Sequence, residues 1–242
     1  MREQIYEYRA VVFLDILGFS QLIKANREVE ILDALKVIEG LQNQYPYDGT
    51  TNIEMSAFSD CIVVSDLVGD GFGVVRIVNY ASYLAWKFLD MGVLVRGGVS
   101  IGDLYHKNKT VFGPALLEAY ELESQLAIYP RILATSEVRA KFIEREAATR
   151  SHLAIATSSI FKEDFDMQLH IDLLCPFSSG QPSNIPNARQ ENGGILVDAH
   201  DVFRAKIACI QSAIAKNKSN EMKHLVKLGW LKKYIDGYIS HG

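Results

Sequence analysis

The chain has 242 residues, 48% hydrophobic and 22% charged, with 17 glycines and 6 prolines. That length suits one large domain or a domain with an appendage, and the composition excludes intrinsic disorder and fibrous architecture. The formal net charge of −4 is unevenly spread, since residues 201–242 hold eight Lys/Arg against three Asp/Glu. Such a tail reads as the solvated face of an amphipathic helix, and the balance gives no sign of a nucleic-acid partner. Asp15 and Arg96 interrupt the most apolar stretches, so no run approaches the ~20 apolar residues that span a bilayer. The start, MREQIYEYR, carries no signal core, and Cys61, Cys175 and Cys209 form no Cys-x-x-Cys pair. Both features point to the cytoplasm, with no zinc or disulfide framework.

Residues 8–15 are a near-continuous apolar run ending in Asp15, the pattern of a buried central strand. After a turn at Gly18, apolar residues at 32, 35, 38 and 41 predict an amphipathic helix over 28–44. Pro46 and Asp48-Gly49 stop it. Residues 51–58 and 61–67 read as a hairpin bent at Ser59-Asp60. A helix is predicted over 74–89, with Val78, Ala81, Leu84 and Ala85 on its core face, followed by a strand over 92–101. Residues 103–110 read as an exposed turn carrying Lys107 and Lys109. Gly113-Pro114 opens a helix to 123, and residues 132–134 form a strand capped into a helix at Thr135/Ser136. Residues 178–194 read as a loop, and two helices, 199–216 and 220–238, close the chain.

This order predicts helices on a largely antiparallel sheet, a ferredoxin-like α+β fold rather than a doubly wound one. The loop Gly69-Asp-Gly-Phe-Gly73 lacks the Gly-x-Gly-x-x-Gly spacing, and no Gly-Lys-Ser/Thr phosphate loop occurs.

Asp15 carries the most information. A charge at the end of a buried strand is costly unless it is paired or binds a metal. Asp60 sits in the hairpin bend, so neighbouring strands would bring both carboxylates to one rim of the sheet. Two hard oxygen ligands there suit Mg²⁺ or Mn²⁺, and the turn through Gly18 would offer backbone amides to phosphate oxygens. The competing reading makes Asp15 a helix cap and Asp60 an ordinary turn residue. Arg96, inside the apolar stretch 93–101, either pairs with a core carboxylate or reaches a ligand phosphate. Gly97-Gly98 signals a bulge or a close backbone approach. Asp66, about 20 Å along its strand from Asp60, is too far to share a metal.

Together these pieces resemble the class III nucleotidyl cyclase domain over residues 8–139. Phe13-Leu-Asp15-Ile16-Leu17-Gly18-Phe19-Ser20 is similar to its first-metal motif, and Phe58-Ser59-Asp60 to the hairpin bearing the second metal ligand. Arg96-Gly-Gly98-Val-Ser-Ile-Gly102 is similar to its phosphate-contacting strand, and residues 112–123 follow its Gly-x-x-x-Asn-x-Ala-x-Arg helix in spacing. The family's Asn and Arg fall on Leu117 and Glu121, and its base-reading pair on Ser56 and Thr110. Lys/Asp reads adenine and Glu/Cys reads guanine in that family, and two hydroxyls match neither. The chain looks most like the stand-alone pyrimidine cyclases of bacterial Pycsar anti-phage systems.

The resemblance implies a class III cyclase core with a C-terminal helical extension, divided at residues 1–197 and 198–242. It implies Asp15, Asp60 and Arg96 as catalytic residues, and a two-metal Mn²⁺ or Mg²⁺ site held by Asp15, Ile16 and Asp60. Phosphates would meet Leu17, Gly18, Phe19, Ser20 and Arg96. The base would meet Ser56 and Thr110, with Tyr45 or Tyr47 contacting a pyrimidine or packing under the turn. A homodimer is implied, acting on UTP or else CTP, with UTP favoured, and signalling to a separate effector that senses the cyclic nucleotide. Lys107 and Lys109 are candidates for the cation missing at Glu121. A catalytically silent nucleotide-binding module is the alternative, and a palm-type nucleotidyl transferase a third reading.

Overall fold

The computed structural model describes residues 5–24, 26, 29, 32–33, 36, 52–149, 160–174, 199–217 and 221–239. Its strands are β1 (Glu7–Leu17), β2 (Glu54–Phe58), β3 (Cys61–Leu67), β4 (Leu94–Lys107), β5 (Thr110–Phe112), β6 (Ile132–Ala134), β7 (Phe161–Glu163) and β8 (Leu169–Ile171). Its helices are α1 (Phe19–Lys24), α2 (Phe72–Asp90), α3 (Pro114–Glu121), α4 (Ser136–Thr149), α5 (Ala199–Lys216) and α6 (Met222–Ile239). A π-helical turn, Leu122–Leu126, follows α3.

The sheet runs β2-β3-β1-β4-β6-β8-β7, with β5 paired to β4. All pairings are antiparallel except β4 with β6. The four strands β2-β3-β1-β4, joined through helices, have the ferredoxin-like arrangement the sequence predicts. The central position of β1 explains its nearly unbroken burial, because both flanks and both faces are covered.

The two faces divide by the alternation of β1. Ala10, Val12, Leu14 and Ile16 pack against α2 in the main core, beside Val78, Ala81, Leu84 and Ala85. Val11 and Phe13 face the opposite way, against Ala115 and Ala119 of α3. Arg9 and Asp15 share that second face by the same period. Asp66 belongs to the first face, fully buried and ion-paired to Arg76 of α2 at 2.5 Å, away from Asp60 as its spacing requires. The α5–α6 pair closes one end of the sheet, where Leu17 and Leu94 join Ile210, Leu228 and Leu231 in one cluster.

α6 is fastened by polar groups as well as apolar ones. Arg131, almost wholly buried, pairs with Asp164 and Asp166 in the turn between β7 and β8. Asp164 also accepts a 2.6 Å hydrogen bond from the Trp230 indole. Tyr234 and Tyr238 both donate to Asp172. A buried cation is tolerated when its charge is paired in this way.

Several predicted elements differ. Residues 103–110 are not an exposed turn: β4 continues to Lys107, and Asn108 (φ +52°) and Lys109 (φ +66°) alone make the turn into β5. Two positive φ values are what a tight two-residue hairpin demands. The Gly97-Gly98 pair marks close approach and no bulge, since the β1–β4 register runs unbroken through both. The helix predicted over 28–44 falls mostly outside the described residues; Val29, Leu32, Asp33 and Lys36 are helical. The loop predicted over 178–194 also lies outside them.

A Cβ on Gly98 would sit within 3 Å of the Ala119 carbonyl oxygen and the Leu122 Cβ, whereas Gly229 in α6 has open space. Gly98→Ala is therefore expected to cost about 2–3 kcal/mol by overpacking α3 against β4. Gly229→Ala is expected to gain about 0.5–1 kcal/mol by raising helix propensity. Urea melts of both variants check the pair, and equal midpoints would refute it.

Candidate active site

Asp15 and Asp60 meet because β1 and β3 are neighbours. Asp15 lies opposite Cys61 in the register, and the Ile16 amide donates to the Asp60 carbonyl at 2.9 Å. One ligand atom each from Asp15, Asp60 and Cys61 lie within 4.8 Å of one another, close enough to share a cation. The tight turn is made by Ser59, at φ +57°. The Cys61 thiol, pushed up to about 11 by burial and then by Asp60 and Asp15, stays protonated near neutrality. The donor set is therefore two carboxylates beside a neutral thiol, which fits a hard divalent cation such as Mg²⁺ or Mn²⁺.

Arg96 stands opposite Asp15 on β4. Its Nε donates to Asp15 Oδ2 at 3.1 Å, and Nη1 donates to the Ala127 carbonyl at 3.3 Å. The same Nε lies 2.7 Å from Glu123 Oε1. Of the two readings open for Arg96, the ion pair is what this structure contains. Glu123 was not anticipated. It is 3% exposed, and the π-helical turn after α3 carries it to Arg96. Burial, opposed by Arg96, pushes its carboxyl up to about 7. Such turns recur at functional sites, but no sequence signal marks this one.

β1 ends at Leu17, Gly18 turns at φ +78°, and the Gly18 carbonyl accepts from Gln21 and Leu22 as α1 begins. The amides of Phe19 and Ser20 thus lie in the first turn, where no intrahelical acceptor exists. Leu17 stays in the ladder opposite Leu94, its side chain buried in the cluster with α5 and α6.

Neither Ser56 nor Thr110 contacts the carboxylates among the described residues. Beyond Leu104, β4 reaches past β1 so that His106 lies between Ser65 of β3 and Ser56 of β2. Arg9 Nε donates to Ser65 Oγ at 3.0 Å, Ser65 Oγ lies 2.8 Å from His106 Nδ1, and His106 Nε2 lies 2.9 Å from Ser56 Oγ. Arg9 has only hydrogens to give, so Ser65 Oγ accepts from it. With His106 protonated on Nε2, Ser65 donates onward to Nδ1, the Nε2 hydrogen goes to Ser56, and Ser56 keeps its own hydrogen for an outside acceptor. Thr110 opens β5 opposite Lys107. Lys107 binds Glu7 at 3.1 Å, eight residues along β1 from Asp15 and so about 26 Å away. Within one chain it cannot supply the cation missing at Glu121. Tyr45 and Tyr47 lie outside the described residues.

No family model and no curated protein matches the chain. Among solved structures it is similar to the monomeric guanylyl cyclase domain of the RhoGC fusion protein from the aquatic fungus Blastocladiella emersonii. That match has 17% identity and a TM-score of 0.46, covering 68% of this chain and 94% of that one. It is also similar to a bacterial light-regulated adenylyl cyclase, at 16% identity and a TM-score of 0.42, covering 69% and 91%. A third similarity is to the guanylyl cyclase Cya2, at 14% identity and a TM-score of 0.39, covering 57% and 79%. These are likenesses of outline and do not carry activity. No helix among the described residues is long and apolar enough to cross a membrane.

His106 gives the site's surroundings a pH signature. Burial, and then Arg9, lower its pKa to about 4 from an ordinary 6.5. The unfolded chain takes up the proton first as pH falls, so this contribution is complete above 6.5 and is lost between 6.5 and 4. The loss amounts to roughly 3 kcal/mol. Replacing His106 by Gln should flatten the stability profile over that window in urea melts. An unchanged slope would contradict the buried neutral ring.

Proposed function

We propose that the chain is a nucleotidyl cyclase with a class III core, converting a pyrimidine nucleoside triphosphate to its 3′,5′-cyclic monophosphate and pyrophosphate. The observation that carries this reading is the convergence of Asp15 and Asp60 at one sheet rim, beside Arg96 and the Gly18 turn. In the reaction the ribose 3′-oxygen bonds to the α-phosphorus, the bond from that phosphorus to the bridging oxygen of the pyrophosphate breaks, and the hydroxyl proton leaves to water. Asp15 and Asp60 would hold the Mg²⁺ or Mn²⁺, with the Ile16 carbonyl completing the set. When bound, the metal supplies a lowered pKa for the attacking hydroxyl and charge neutralisation for the leaving group.

The chain's own groups do the rest. Leu17 anchors the end of β1, and the amides of Gly18, Phe19 and Ser20 cradle phosphate oxygens. Arg96 turns from Asp15 and Glu123 to the phosphates once a cation takes over the Asp15 charge. Ser56 and Thr110 read the base, and the Nε2-protonated form of His106 leaves Ser56 a hydrogen to donate, which favours uracil. Uracil offers an acceptor oxygen where cytosine carries an amine, so UTP is preferred and CTP is the second choice.

The active form is a homodimer. In one chain Thr110 and the carboxylates are associated with opposite ends of β1, so one nucleotide meets both sets only if two chains contribute. Phe58, 85% exposed beside Asp60, and Leu117, 57% exposed on α3, supply apolar surface for that contact. The cyclic product would act in the cytoplasm as a second messenger in anti-phage defence, through a separate sensing effector. The second reading, a silent nucleotide-binding module, draws on Leu117 and Glu121 standing where the family motif carries Asn and Arg.

Asp60→Asn keeps the shape and removes a ligand charge. With Mn²⁺ its turnover should fall by about a thousandfold or more, while its circular-dichroism melt stays within a few degrees of wild type. An active Asp60→Asn enzyme would sink the metal-site assignment.

A further inference from the structure

The site is short of positive charge for a triphosphate. Asp15, Asp60 and Glu123 are three acids, and Arg96 divides its Nε between two of them. Within one chain Lys107 does not help, since it is bound to Glu7 at the far end of β1.

A cation does reach this rim from the C-terminal helices. Leu17 and Leu94 are register partners, each two residues from the Asp15–Arg96 pair and on the same face. Leu228 and Leu231 of α6 pack into the cluster that contains both. α6 is fixed there by the hydrogen bond of Trp230 to Asp164 and those of Tyr234 and Tyr238 to Asp172. Lys227 directly precedes Leu228, is partly buried, and forms no ion pair among the described residues. Burial leads in holding its pKa below the ordinary lysine value; its ammonium feels Arg96 and Lys223 as repulsion and Asp15 and Glu123 as attraction. Three of those four charged groups belong to the site, on elements more than 100 residues from Lys227 in sequence.

We infer that Lys227 is the second phosphate-binding cation of the site, supplied by the C-terminal extension and acting beside Arg96 on the polyphosphate of the bound nucleotide. This rests on the reading of the site as one that binds a metal–nucleoside triphosphate. Before ligand arrives, Lys227 offsets the negative charge of Asp15 and Glu123. A metal ion and Lys227 therefore repel each other, whereas a polyphosphate attracts both. The inference gives the C-terminal helices a chemical role besides covering the end of the sheet.

The opposed signs give a test that a purely structural lysine would not pass. Binding to the full chain is measured by titration calorimetry, first with Mn²⁺ alone and then with inorganic tripolyphosphate in saturating Mn²⁺. Tripolyphosphate has no base and undergoes no cyclisation, so neither base preference nor turnover enters. Lys227→Met is expected to weaken tripolyphosphate binding by about tenfold or more, the scale of one charge-assisted hydrogen bond, and to tighten Mn²⁺ binding severalfold. Lys227→Arg should restore tripolyphosphate binding to within about threefold of wild type, because it keeps the charge. The exposed Lys232→Met, on the same helix, should match wild type in both titrations. If Lys227→Met melts early, Lys227→Gln takes its place. Tight wild-type binding with an unchanged Lys227→Met would overturn the role of Lys227 and leave the reading of the site intact. A wild-type protein that binds no tripolyphosphate with Mn²⁺ would overturn both.

Discussion

One cation shared by two acids organises the rim of this sheet. Arg96 is opposite Asp15 across β1 and β4, and its Nε also meets Glu123 from the π-helical turn. Three separate parts of the chain are tied together at that guanidinium. A like-charge cluster of Asp15, Asp60 and Glu123 would repel itself in a half-buried setting without it. The same arrangement is poised for change, because any cation that captures Asp15 lowers the hold on Arg96. The raised pKa of Glu123 fits this picture, since burial of the acid, with Asp15 and Asp60 beside it, outweighs the positive charges of Arg96 and Lys227.

The rest of the molecule holds that rim in shape. Gly97 and Gly98 let β1 and α3 approach β4 closely enough to present Asp15 and Glu123 to Arg96. At the sheet's other edge, Arg131, Asp164 and Asp172 form buried polar anchors for Trp230, Tyr234 and Tyr238. These long-range ties make α6 part of the same packed body as β1 and β4. Removing one member of such a set leaves its partner buried and unmet, which costs far more than the set contributes as a whole.

Much of the fold was readable because its period signals were strong. The apolar run into Asp15, the bend at Ser59-Asp60 and the core face Val78–Ala81–Leu84–Ala85 follow directly from side-chain alternation and helical spacing. The closing helices were readable for the same reason. β7 and β8 were missed because three residues carry no usable period. The end of β4 was misread as a turn because its charged residues look like a loop, while His106 within it is fully buried. At the candidate site, Asp15 and Arg96 were legible as charges set in apolar strands and Asp60 as an acid in a hairpin bend. Glu123 and Lys227 were not, because each reaches the rim through tertiary packing that no local pattern encodes. The setting of Ser56 was hidden for the same reason: it is tied through His106 and Ser65 to Arg9.

The most direct test of the central claim is product identity. The purified chain is incubated with Mn²⁺ and each of ATP, GTP, CTP and UTP in turn, and the products are read by mass spectrometry. The account predicts cyclic UMP with pyrophosphate from UTP, and less or none from the other three. Cyclic AMP or cyclic GMP would contradict the reading of Ser56 and Thr110, and no cyclic product from any nucleotide would contradict the cyclase itself.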